Sequence, residues 1–122
     1  PSGTRGDVFR RAVDEVIAPV VARFAPDWLF ISAGFDGHRA DPLAGLELTS
    51  ADFADLAVRL QSLVPAGRTL VALEGGYDLE ALAYSTGATL SALIGETYRP
   101  ELASTGEIGV PTIIAAKQRW NL

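Results

Sequence analysis

A chain of 122 residues, 48% hydrophobic and 20% charged, has the size and composition of one folded domain and is too apolar for disorder. Fifteen acidic residues against ten basic ones give a net charge of −5. That balance leaves no basic stripe to displace counterions, so neither nucleic acid nor an anionic membrane is an expected partner. The absence of cysteine removes disulfide scaffolds, thiol nucleophiles and thiolate zinc sites. The single histidine, His38, cannot build a three-histidine metal centre, and any serine–histidine–acid triad would have to use it. No apolar run approaches the roughly 18–20 residues of a membrane span and no signal-peptide pattern is visible, which reads as cytoplasmic. Methionine is absent even from position 1, so a segment of a longer chain is expected.

Residues 1–6 are rich in Pro, Gly and Ser and read as a loop. From Asp7, a predicted N-cap, apolar residues recur at Phe9, Val13, Val16, Ile17, Val20, Val21 and Phe24, which is helical spacing. Pro19 lies inside this pattern and should kink the helix or loosen one turn; Ala25-Pro26-Asp27 ends it. Trp28 to Ala33 is a short apolar run rich in aromatic and β-branched types, which predicts a strand buried on both faces. Residues 34–48 form a long loop containing Gly34, Gly37, Pro42 and Gly45.

Thr49 or Ser50 can cap the next helix, whose stripe is Phe53, Leu56, Ala57, Leu60 and Leu63. Pro65-Ala66-Gly67 breaks it, and Thr69 to Leu73 predicts a second buried strand. Glu74-Gly75-Gly76-Tyr77 reads as a tight loop, after which Asp78 caps a third helix that ends at Gly95. Residues 96–122 are less regular, with Pro111 opening a short helix toward Trp120. The order contains one βαβ unit, with a right-handed crossover expected. Two strands make a poor parallel sheet alone, and covering both faces needs more strands, which again points to a larger domain.

In open α/β sheets, ligands bind beyond the carboxyl ends of the strands. Parallel neighbouring strands would bring Asp36, His38, Asp41, Glu74 and Tyr77 to one edge, with Gly75 and Gly76 allowing close backbone approach. Each residue also has an ordinary reading. Asp36 and Asp41 are turn-formers, His38 a hydrogen-bonded loop histidine, Glu74-Gly75-Gly76 a plain strand-to-helix turn, and Tyr77 a core-edge residue with a wet hydroxyl. Asp36 and His38 are spaced like a zinc pair, but a metal site normally takes three or more ligands.

Ser32-Ala33-Gly34-Phe35-Asp36, Asp41-Pro42-Leu43 and Leu73-Glu74-Gly75-Gly76-Tyr77 together resemble the histone deacetylase superfamily. The likeness is greatest to its bacterial class II-like members, which include acetylpolyamine amidohydrolases and acetoin-utilisation proteins. It runs from about Gly6 to Gly95, and the tail over 96–122 matches only loosely. The resemblance implies an α/β, three-layer arginase/deacetylase-type fold with a central parallel sheet and a catalytic divalent metal, usually zinc. The chain would be a single C-terminal fragment of such a domain.

By that resemblance Asp36 is a metal ligand and Tyr77 the donor to the substrate carbonyl. Pro42, Leu43, Gly75 and Gly76 line the tunnel for an acyl-lysine arm. His38 matches no metal ligand of the family. The implied substrate is an acetylated amine, and the implied partner is the N-terminal part of the same domain, which carries the other ligands and an adjacent histidine pair. One histidine cannot supply that pair, so the chain alone is expected to be inactive with little zinc affinity. A non-catalytic module binding an acyl-amine or a partner is the alternative. A phosphate-binding domain is a third reading, since helix N-termini favour anions, but no GxGxxG or GxxxxGK[ST] is present.

Overall fold

The computed structural model describes residues Pro1–Leu122. The first helical stretch has three joined parts: α1 (Gly6–Ala12), a π turn (Val13–Ile17) and α2 (Ala18–Phe24). Pro19 explains the middle part. It has no N–H to donate, and its ring would clash with the carbonyl four residues earlier. The ladder widens just before it, with Ala18 N–H reaching back to Val13 O. The loosened turn is thus realised. The cap is not at Asp7: Arg5 is the N-cap, and Asp7 sits within the first turn. Its carboxylate accepts from the Val8 and Gly106 N–H groups at 2.8 and 2.9 Å, so it ties the helix start to the tail. Ala25, at φ 51°, closes α2 in the left-handed region ahead of Pro26.

β1 (Leu29–Ala33) and β2 (Thr69–Leu73) pair in parallel, with Leu29 opposite Thr69 and Ala33 opposite Leu73. The connection runs through a 3₁₀ turn (Phe35–Gly37), a loop, and α3 (Ser50–Gln61), so the expected βαβ unit is present. α3 starts at Thr49, whose N–H donates to Asp52 Oδ2 at 2.9 Å, the carboxylate half of a capping box. α4 (Leu79–Leu93) starts at Asp78, which accepts from Ala81 N–H at 2.8 Å, and Gly95 follows its end at φ +80°. α3 packs along α4 and against α1, and α5 (Val110–Trp120) packs on the π turn. No helix is long and apolar enough to cross a membrane.

The strands are not buried on both faces, contrary to their composition. Ile31 and Ala33 line the same apolar cavity as Leu56, Ala57 and Leu60 of α3, whereas Phe30 on the opposite face is 74% exposed. Leu70, Val71 and Leu73 of β2 are exposed as well. The physical reason is layer count: a helical layer covers one face of β1, while β2 has side chains exposed on both faces, with no further layer packed against it.

The tail is more integrated than its sequence suggests. Ser104 hydroxyl donates to Asp52, Ser104 also accepts from Gly6 N–H, and Arg10 reaches Ser104 O. Asp52 is fully buried and accepts from Arg10 Nη1 at 2.6 Å, from Thr49, and from Ser104 N–H. A buried carboxylate requires such a set of donors, since unpaired it would cost several kcal/mol, of the order of ~3–5. Gly6 is glycine because the Asp52 carboxylate occupies the space of a Cβ there.

Candidate active-site edge

Parallel pairing sends both strand ends into loops at one edge. Just past β1, Phe35 is buried and its ring meets Phe53 of α3 edge-on at 5.1 Å, which anchors the 3₁₀ turn. Just past β2, Gly75 O accepts from Phe35 N–H at 2.8 Å and Glu74 N–H donates to Ala33 O at 3.0 Å. The two loops are therefore stitched together by backbone bonds. Between them lies an open cleft of about 620 Å³ lined by Ser32, Gly34, Asp36, Leu73, Glu74, Gly75 and Tyr77.

Asp36 sits between two glycines. A Cβ on Gly34 would stand 2.8 Å from Asp36 Oδ1, and one on Gly75 2.8 Å from the same atom and 2.9 Å from Cγ. Only hydrogen side chains leave room for this carboxylate. Its oxygens accept no hydrogen bond from any group of the chain, in contrast to Asp41, Asp52 and Glu101. A hard carboxylate held on a cleft wall with both oxygens free suits a divalent cation. No cluster of three or more His, Asp or Glu side chains surrounds a common point, so these residues by themselves form no complete metal site.

Tyr77 is 59% exposed on the cleft. Its backbone N–H donates to Asp41 Oδ2 at 2.7 Å. Gly76 before it adopts φ +139°, a conformation strained for any L side chain, and an added Cβ would meet Leu82 Cδ1 at 2.9 Å. Pro42 and Leu43 lie on the exposed outer side of the same loop as Asp41, and neither lines the cleft. Leu43 is 67% exposed.

His38 belongs to a different cluster. It is 4% exposed, its Nδ1 accepts from Ala40 N–H at 3.1 Å, and its Nε2 is 2.8 Å from Glu101 Oε2. Because Nδ1 accepts, the proton sits on Nε2 and is donated to Glu101. Both ring nitrogens are thus used within the chain. Glu101 also accepts from Ser50 N–H, at the first turn of α3, and from Arg39. Burial alone would raise the Glu101 carboxyl, but the His38 and Ser50 hydrogen bonds outweigh it and bring the pKa down to about 2. Sequence reading missed Glu101, because its partners are dozens of residues away and the tail carries no local motif. Only Arg39 and His38 in the loop hint that an acid must meet them.

A parallel βαβ unit with a free carboxylate and a phenol at the carboxyl edge of its strands defines an α/β domain whose open cleft lies where such folds commonly bind. A family model described as "Histone deacetylase domain" matches residues 1–93. The rice (Oryza sativa subsp. japonica) protein "Histone deacetylase 10, chloroplastic" is 45% identical over 107 residues, covering 85% of this chain and 24% of that protein. A "Probable deacetylase" of Archaeoglobus fulgidus is 36% identical over 115 residues, covering 84% of this chain and 32% of that one. Among solved structures, the HDA15 HD domain superposes with a TM-score of 0.84 at 33% identity, over 97% of this chain and 33% of that one. This chain belongs to the histone deacetylase family, and its fold is the corresponding part of that family's α/β domain. It spans about a quarter to a third of the length of these relatives.

Proposed function

We propose that this chain is the portion of a metal-dependent deacetylase that contributes one metal ligand, Asp36, and the oxyanion donor, Tyr77. The observation that carries the reading is the pairing of an unpartnered carboxylate and an exposed phenol on one cleft wall. Family membership supports the reaction class. A bound zinc ion would supply Lewis-acid polarisation of the amide carbonyl. Asp36 would offer it an oxygen, and as a hard ligand would leave more positive charge on the ion than a thiolate would.

The chain's own contribution to the reaction is electrostatic. Attack on an amide develops negative charge on the carbonyl oxygen. The Tyr77 hydroxyl makes no hydrogen bond within the chain, so it is free to donate to that oxygen. Gly75 keeps the cleft wall beside Asp36 free of a side chain, which suits a slender acyl-amine arm, and Gly76 permits the turn that presents Tyr77. The substrate would be an acetylated lysine or polyamine. The remaining ligands and the proton-transfer groups would come from residues outside this segment, so the segment alone is expected to bind zinc weakly and to turn nothing over.

The test is a deacetylation assay of the full-length gene product on an acetyl-lysine peptide and an acetylpolyamine. We expect turnover that a hydroxamate chelator abolishes. Tyr77→Phe should lower kcat by about 10²–10³-fold while the fold is kept. Absence of turnover in zinc-replete protein, or a Tyr77→Phe variant at wild-type rate, would overturn the reading.

A further inference from the structure

We infer that Asp41 is the residue that positions Tyr77, an assignment that rests on the reading of Tyr77 given above. Asp41 is buried in a loop whose next residues, Pro42 to Gly45, are all exposed. A carboxylate withdrawn from water needs donors, and every donor it has is a backbone N–H. Oδ1 accepts from Leu43 at 3.0 Å and so braces its own loop. Oδ2 crosses to the other loop and accepts from Tyr77 at 2.7 Å and from Asp78 at 3.3 Å. The Asp41 N–H is itself held by His38 O at 2.9 Å.

The need for this clasp follows from the local sequence. Tyr77 is preceded by two glycines, which leave the turn more conformational freedom than any other pair. Its N–H and that of Asp78 precede α4 and belong to neither helix nor strand, so neither has a regular backbone partner. Phe35 N–H fixes Gly75 from one side, and Asp41 fixes Tyr77 and Asp78 from the other. The Asp78 carboxylate is already committed to Ala81 N–H at 2.8 Å. The phenol is therefore aimed by a backbone pinned at both ends of the glycine pair. Burial pushes the Asp41 carboxyl up, but the Tyr77, Leu43 and Asp78 N–H groups more than offset this and hold it below the ordinary carboxylate value. The ionised acceptor is the form that the clasp uses.

The experiment uses the full-length gene product and two readouts. Asp41→Ala should lower kcat by about 10–100-fold, with KM changing much less, since a misplacement near 1 Å is worth about that much. Asp41→Asn keeps one acceptor oxygen and should recover part of the loss. In a Tyr77→Phe background, Asp41→Ala should cost nothing further, because the hydroxyl it aims is gone. Independently of activity, amide exchange at Tyr77 and Asp78 should speed up about 10–100-fold in Asp41→Ala and stay unchanged in Tyr77→Phe.

Losses that multiply in the double variant, or unaltered exchange at both amides, would overturn the assignment. If the wild-type protein deacetylates nothing, the functional reading falls, and the exchange data alone decide whether Asp41 holds Tyr77. Should Asp41→Ala fail to fold by circular dichroism, Asp41→Asn carries both readouts, with smaller effects in the same direction.

Discussion

Replacing Gly75 with alanine adds one methyl group at the most crowded point of the cleft. Gly75 does not lie in the left-handed region, so its backbone accepts alanine without torsional strain. The effect must then come from contact alone. The new Cβ would stand 2.8 Å from Asp36 Oδ1, where ordinary contact begins at 3.4 Å. Either the carboxylate or the turn has to give by about 0.6 Å, more than the ~0.5 Å within which a site must be held. We expect kcat of the full-length gene product to fall by about 10–100-fold and zinc affinity, read by competition with a chromophoric chelator, to fall with it.

Global stability should drop by only about 1–3 kcal/mol, the usual cost of overpacking. Gly67→Ala is the matched control. Gly67 has φ +76° with nothing within 4 Å of an added Cβ, so alanine there should cost about 1–2 kcal/mol of stability while sparing both rate and metal affinity. A Gly75→Ala protein with wild-type turnover and zinc affinity would refute the claim that Asp36 is seated by the absence of that side chain.

Two further expectations concern the frame that holds the site. Asp52→Ala removes the carboxylate that Arg10, Thr49 and Ser104 share, and should cost about 3 kcal/mol, the lower end for a broken buried pair, because Asp55 stands 3.5 Å from Arg10 Nη1 as a substitute. A urea midpoint within error of wild type would contradict that network. Glu101, with its folded pKa depressed to about 2 from 4.5, contributes stability that is complete above pH 4.5 and is lost as pH falls through about 2. Glu101→Gln should accordingly show a shallower loss of stability across that window in urea titrations at stepped pH. Equal slopes would show that the carboxylate is not held by the folded state.

Much of the chain declared itself locally. The spacing of apolar residues set the helices, the run from Thr69 to Leu73 set β2 to the residue, and Asp78 capped α4 where it stands in the sequence. Pro19 foretold the loosened turn because a missing N–H and a ring clash act within one helical turn. The cap at Arg5 was illegible, since Asp7 has the right chemistry for a cap and was claimed by the Gly106 N–H, a contact 99 residues distant.

The candidate site divides in the same way. The residue types at positions 36 and 75–77 marked it from sequence, because a carboxylate, a glycine pair and a tyrosine after two strand ends form a combined signal. The seating of Asp36 against Gly34 and Gly75, the clasp of Asp41 on Tyr77, and the capture of His38 by Glu101 all join residues far apart in the chain. Burial was decided there too. The composition of the strands predicts two covered faces, but exposure depends on which layers are packed against the sheet, and a strand's sequence carries only its capacity to be buried. The sequence by itself determined the elements and the chemistry available at the sheet edge. Tertiary structure decided which carboxylates were satisfied by donors elsewhere in the chain and which were left free on the cleft.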